Sequence, residues 1–227
     1  MKKVATLLIG VISTATAFSQ ISIGVQGTGN FSDASIETVD FVNPTKKSRV
    51  LPGGGIVVDF IVNPSITVRT GVNYLQNGIK LEASITGIPG EITEIATTGK
   101  VNMNYLQVPL NLLYTTKGST QFFFGGGPYF SYALSGKTKT ESTIKFSDGS
   151  TETDVEESDL FEKDDEGETY WKRSDFGVGA IAGVRLPGGL FANVGYQFSL
   201  ANLSKAEDEK YRNRGLQLTI GYFLWRK

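Results

Sequence analysis

Asp59 and Arg69 flank the turn signal Asn63-Pro64. Folding the chain back there as a hairpin brings the two charges nearly opposite one another on one polar face. An enclosed carboxylate and guanidinium each offset the cost of burying the other, so the two are predicted to form a structural ion pair in a lumen, with no catalytic duty. A second concentration of chemistry is the acidic stretch from Asp148 to Glu168, with 11 acids and only Lys163 in opposition. Oxygen-rich runs suit calcium or magnesium, but Asp164-Asp165-Glu166-Gly167-Glu168 lacks the ligand spacing of a calcium loop. The stretch reads as a solvated loop held open by self-repulsion, with divalent-cation binding by residues 148–168 left open as the alternative, and it is too loose to hold two carboxylates at a glycosidase separation. Gly27-Thr28-Gly29 and Gly53-Gly54-Gly55 share only composition with phosphate cradles, lacking both a strand-to-helix context and a following Lys-Ser/Thr. Glycine on the inward face of a narrow barrel explains them.

The rest of the chemical inventory is defined by exclusion. The 227 residues contain no histidine and no cysteine. That removes the usual neutral-pH base, the usual zinc ligands and the thiolate nucleophile together. Triads built on histidine, disulfides and iron–sulfur clusters go with them. A formal charge of -1 offers no basic field for nucleic acid. No catalytic, cofactor-binding or metal-binding residues are assigned.

Lys2 and Lys3, a short apolar run from Val4 to Ile12, and small residues at Ala17 and Ser19 make residues 1–19 a secretory signal peptide, with cleavage expected before Gln20. No later stretch reaches 18 uninterrupted apolar residues, so no transmembrane helix is available.

From Gln20 onward the hydrophobic pattern has period two, the signature of strands with one apolar and one polar face. Leu190, Ala192, Val194, Tyr196, Phe198 and Leu200 alternate with Phe191, Asn193, Gly195, Gln197 and Ser199. Leu216 to Leu224, Phe176 to Leu186, Leu106 to Tyr114, Ile66 to Tyr74, Ile56 to Val62 and Ile21 to Val25 repeat the alternation. Residues 121–134 are aromatic on both faces and leave their register open. The pattern predicts an all-β domain over residues 20–227, an eight-stranded antiparallel up-and-down transmembrane β-barrel. Its strands match the roughly nine to eleven tilted residues that a bilayer requires.

The connections alternate in length. Tight turns fall at Asn63-Pro64, at Thr116-Lys117-Gly118-Ser119 and at Pro187-Gly188-Gly189, while long polar connections run near 32–49, 83–98, 135–172 and 201–212. Short turns at one end and long external loops at the other are the asymmetry of outer-membrane barrels. The polar face carries Gln26, Asn73, Asn104, Gln107, Asn111, Asn193, Gln197 and Gln217, with Asp59, Arg69, Asp175 and Arg185. Such side chains would fill a narrow lumen with hydrogen bonds. Tyr74, Tyr114, Phe122, Phe176, Tyr222 and Trp225 stand near strand ends, where a membrane interface favours aromatics.

Asn104-Tyr105-Leu106-Gln107-Val108-Pro109-Leu110, then Gly125-Gly126-Gly127-Pro128-Tyr129 with Tyr132, Asp175-Phe176-Gly177-Val178-Gly179 and the closing Leu218-Thr219-Ile220-Gly221-Tyr222-Phe223 carry a resemblance. The chain resembles the PorT-like outer-membrane β-barrel family of Bacteroidetes-type bacteria over essentially its whole mature length. The resemblance implies an eight-stranded barrel in a Gram-negative outer membrane and no catalytic residues, and it links some relatives to protein secretion. The expected role is structural or interactive. Expected partners are outer-membrane lipid, the barrel-insertion machinery (reading Gly215, Leu218, Ile220 and Tyr222) and a surface or secretion-system protein, with no nucleic acid and no cofactor. Two other readings stay open: a soluble exported barrel around a small apolar ligand, and an accessory component of a secretion system.

Overall fold

A computed structural model describes residues 20–37, 44–86, 91–163, 169–206 and 209–226, so the signal segment lies outside the described residues. Nine strands follow in order: β1 (Gln20–Glu37), β2 (Thr45–Asn63), β3 (Ile66–Thr86), β4 (Ile92–Thr115), β5 (Gln121–Phe146), β6 (Thr151–Asp159), β7 (Ser174–Arg185), β8 (Leu190–Ser199) and β9 (Lys210–Arg226). All pairings are antiparallel. The sheet runs β4-β3-β2-β1-β9-β8-β7-β5, and β4 pairs again with β5, so eight strands close a ring. The ninth, β6, pairs only with the upper part of β5 and lies outside the ring.

Closure follows from turn chemistry and from alternation. Ser65 N–H donates to Asn63 Oδ1 at 2.9 Å in the β2–β3 turn. Gly118 and Gly189 adopt φ of 124° and 97° in the other two tight turns, a region open chiefly to glycine. Outward-facing Ile23, Val25, Ile56, Val72, Leu110, Leu112, Phe124, Val178, Val194, Leu218 and Ile220 are all exposed, while their inward neighbours are mostly buried. On β9, Ile220 is 65% exposed beside Thr219 at 6%, so the apolar side chains cover the outside of the cylinder. The open register at 121–134 resolves with Phe123, Tyr129, Ser131 and Ala133 inward and Phe122, Phe124, Phe130 and Tyr132 outward.

Three expectations are corrected. All four long connections gather at one end of the ring, but the first three are largely strand. β1 runs to Glu37, β2 begins at Thr45, β3 runs to Thr86, β4 begins at Ile92, and β5 continues to Phe146 before turning into β6. The acidic run therefore contributes a strand between Thr151 and Asp159, while residues 164–168 lie outside the described residues. Thr, Ile and Val favour extended backbone, and neighbouring strands supply hydrogen-bond partners even where no apolar face exists to register as alternation. The result is a four-stranded ribbon, β3 to β6, projecting beyond the barrel on one side. Residues 201–209 retain irregular backbone where described.

The second correction concerns Asn104, which faces outward and donates to Ser135 Oγ at 2.8 Å, because its neighbours Met103 and Tyr105 take the buried side. The third concerns glycine. Gly53 and Gly55 face inward, but Gly27 and Gly29 face outward, and a Cβ at either would meet nothing within 4 Å. Thr28 between them turns inward to Thr219, at 2.9 Å between hydroxyls.

Candidate functional site

Among the described residues the strands enclose a lumen, and its side chains form three layers. At the turn end, Asp59 and Arg69 are direct cross-strand partners. Arg69 grips the carboxylate with two parallel bonds, Nε to Oδ1 at 2.7 Å and Nη2 to Oδ2 at 2.9 Å. Arg185, from the far side of the ring, donates to the same Oδ2. Asp59 is fully buried and Arg69 nearly so. Two guanidiniums against one carboxylate leave an excess positive charge, which aromatic faces absorb. Arg69 lies 4.5 Å from the Phe123 ring centre and 5.0 Å from that of Phe191, and Arg185 lies 4.5 Å from that of Phe223. Gly221 makes the aromatic packing possible: a Cβ there would stand 2.2 Å from the Phe191 ring. A vestibule of about 360 Å³, lined by Gln20, Asn63, Thr115, Lys117 and Gln121, ends on Arg185.

The middle layer is amide chemistry. Gln107 and Gln197 exchange hydrogen bonds at 3.0 and 3.2 Å, Gln217 donates to Gln197 Oε1 at 3.0 Å, and Gln26 donates to Asn73 Oδ1 at 2.8 Å. The space left among them is about 50 Å³, room for a few waters at most.

At the loop end polar groups give way to an apolar plug. Asp175 accepts from Ser199 Oγ at 2.6 Å and from Asn213 Nδ2 at 3.1 Å, and Asn213 also reaches the Tyr105 hydroxyl at 3.2 Å. Above them Ile79, Met103, Tyr105, Ala133, Leu160, Phe161, Leu203 and Tyr211 form one buried cluster. Leu160 and Phe161 fold back over the mouth directly after β6. Leu160 N–H is fixed by Gly136 C=O at 3.0 Å, and the Arg173 guanidinium lies 4.1 Å above the Phe161 ring. Trp171 packs edge-on against Tyr211 at 5.0 Å. Leu203 is wholly buried, so Leu203→Ala is expected to cost about 2–5 kcal/mol by removing contacts that a closed plug cannot rebuild. Urea unfolding of the detergent-solubilised protein checks this; a change below about 0.5 kcal/mol would mean that the plug is loose.

The structure thus brings Asp59 and Arg69 together, and adds Arg185, whose role the sequence did not reveal. Its signal was a charge on the inward face of β7 next to the turn, at the level of Asp59. Leu160-Phe161 and Leu203 were also missed, and their signal was isolated apolar residues inside polar connections. Asp59 and Asp175, the two carboxylates of the lumen wall, each spend both oxygens on fixed partners. No group of three potential metal ligands occurs among the described residues. A soluble barrel around an apolar ligand is not what forms, since the lumen is polar or filled and the greasy face points outward.

An apolar exterior around a filled interior defines a lipid-facing transmembrane β-barrel. The chain belongs to the family of the outer membrane protein beta-barrel domain, whose match spans residues 15–205, and it is an outer-membrane protein. No curated protein matches it. Similar solved structures include Ail, the attachment invasion locus protein of Yersinia pestis, at 14% identity over 89% of this chain and 98% of that one, with a TM-score of 0.34. Another is OprG from Pseudomonas aeruginosa, at 12% identity over 92% and 94%, with a TM-score of 0.42. A third is Neisserial surface protein A, at 13% identity over 90% and 99%, with a TM-score of 0.34.

Proposed function

We propose that the protein is a non-catalytic envelope component that works through its loop end, exported by way of residues 1–19 and anchored by a barrel that conducts nothing. The observation that carries this reading is the double closure of the lumen, by the Asp59–Arg69–Arg185 knot below and the Leu160, Phe161 and Leu203 plug above. A barrel of eight strands leaves only enough interior for side chains. What remains for interaction is the ribbon, where β5 runs for 26 residues against 12 for β7 and 10 for β8. An accessory role in secretion, implied by the PorT-like element Tyr105 to Pro109, would use the same projecting end.

Two measurements test this. Reconstituted in a planar bilayer, the protein is expected to give no steady current above the bare membrane, and stable open steps would overturn the closed-lumen reading. The chain lacks cysteine, so Ser150→Cys at the β5–β6 turn supplies a single label site. An impermeant maleimide on intact cells is expected to modify it. Labelling only after lysis would reverse the orientation.

A further inference from the structure

The vestibule at the turn end closes on a cation that the chain leaves short of partners. Elsewhere the register sets acid directly across from base: Asp59 faces Arg69, Asp33 faces Arg214 and Glu37 faces Lys210. Arg185 has no such neighbour. Across from it stand Gln121 on β5 and Phe191 on β8, and the carboxylate that it reaches, Asp59, already holds Arg69 through both oxygens. Its Nε is buried without an acceptor, and its Nη1 makes no bond among the described residues. The Phe223 ring, with its centre 4.5 Å away, answers the charge but supplies no directed acceptor for those N–H groups. Donors left unpaired in this way cost free energy that an incoming acceptor returns.

The rest of the space has the same character. Asn63, Thr67, Thr115, Lys117 and Gln121 line its walls, each with a side-chain donor, and no acid lines it. Arg226, whose Nη1 donates to Pro187 C=O at 2.9 Å, adds a further cation at this end of the ring. Among the described residues of the turn-end half of the barrel, Asp59 is the only acid. Arg69, Lys117, Arg185 and Arg226 thus stand against one carboxylate. A cleft of one charge sign between low-dielectric walls concentrates its field on what enters. At about 360 Å³ the vestibule also falls within the roughly 300–1,000 Å³ of small-ligand sites.

A guanidinium edge surrounded by hydroxyl and amide donors suits a group whose oxygens accept several hydrogen bonds at once, which is the chemistry of carboxylates and phosphates. We propose that the vestibule is a binding site for an oxyanion group, carboxylate or phosphate, borne by a small solute that enters from the turn end. Arg185 takes the anion at the floor, the Thr115 hydroxyl and the Gln121 amide hold it from the sides, and Lys117 at the rim draws it in. The anion supplies the second negative charge that two guanidiniums around Asp59 lack. The site adds a ligand at the end of the barrel opposite the projecting ribbon, so its failure would leave the closed-lumen reading standing, which the bilayer current tests by itself.

The test uses the full chain in non-ionic detergent, isotope-labelled for NMR and titrated at constant ionic strength with glycerol phosphate and with succinate, each beside its neutral counterpart, glycerol or succinamide. The backbone amide of Gly118, on the vestibule wall, is expected to shift saturably with at least one of the two anions and with neither neutral compound. Which anion binds more tightly tells phosphate from carboxylate. Gln121→Glu sets a carboxylate opposite Arg185 while leaving Asp59, Arg69 and Arg185 in place, and should weaken anion binding by at least about tenfold. Arg185→Gln should do the same, whereas Lys139→Gln at the loop end should change it less than about twofold. Heat-dependent gel mobility shows whether each variant is folded, and Gln121→Glu decides the matter if Arg185→Gln is not. No saturable shift with either anion, equal shifts with the neutral compounds, or undiminished binding by folded Gln121→Glu overturns the proposal.

Discussion

Asp59→Ala is expected to lower the unfolding free energy by about 3–5 kcal/mol. The substitution removes the one carboxylate that Arg69 and Arg185 share, stranding two guanidiniums in a pocket walled by Phe123, Phe191 and Phe223. Water reaches them poorly, since Arg69 is only 4% exposed and Arg185 9%, so solvation cannot stand in for the lost partner. The knot's worth is nevertheless not the size of that loss. Replacing all three ions together, as Asp59→Leu, Arg69→Leu and Arg185→Met, removes the desolvation cost along with the attraction, and should recover most of the stability. Urea unfolding in phospholipid vesicles, followed by the fluorescence of Trp171 and Trp225, measures both variants. A single variant within about 1 kcal/mol of the parent would show that the three charges are not coupled.

That knot shows how far the sequence could be read. Asp59 and Arg69 lie on adjacent strands joined by a tight turn, so their meeting is a local consequence of period two and of Asn63-Pro64. Arg185 is 126 residues from Asp59, and its approach depends on how the ring closes, which alternation within a strand does not encode. The same division runs through the molecule. The apolar exterior was legible because each strand states its own faces, down to Leu216, Leu218, Ile220 and Tyr222 on β9. The ribbon was not, because Thr138 to Glu141 on β5 and Thr151 to Asp159 on β6 have no apolar face to reveal a strand, only neighbours that complete their hydrogen bonds. The plug was hidden for a related reason. Leu160-Phe161 and Leu203 are single apolar islands, and only the fold shows that they converge on Ile79, Met103 and Tyr105. Asn104 was misplaced because polarity alone assigned it to the lumen, whereas it stands above the apolar belt, where an outward amide meets the polar layer.

The two closures use opposite physics. The turn-end knot is ionic and needs every member, while the loop-end plug is apolar and loses stability in proportion to what is cut away. Both leave the barrel wall as a scaffold whose outward faces do the remaining work, lipid against the belt and polar chemistry above it.

Ile220→Arg tests the lipid-facing belt where the expected penalty is greatest. Ile220 lies midway along the outward residues of β9, between Leu216 near the loop end and Leu224 near the turn end, and is 65% exposed. In water an arginine at so exposed a position costs little, usually within about 0.5 kcal/mol. In a bilayer it stands at the midplane, far from either polar layer, and a loss of about 2–4 kcal/mol is expected. The loss should fall toward about 0–1 kcal/mol for Leu224→Arg, beside Trp225 at the interface, because the guanidinium can there reach the headgroups. It is this depth dependence that identifies the surroundings, since a packing defect would not follow height along an outward face whose residues are all exposed to a similar degree. Unfolding of the three proteins in vesicles gives the profile. Equal stabilities for Ile220→Arg and Leu224→Arg would mean that the apolar belt does not sit in hydrocarbon.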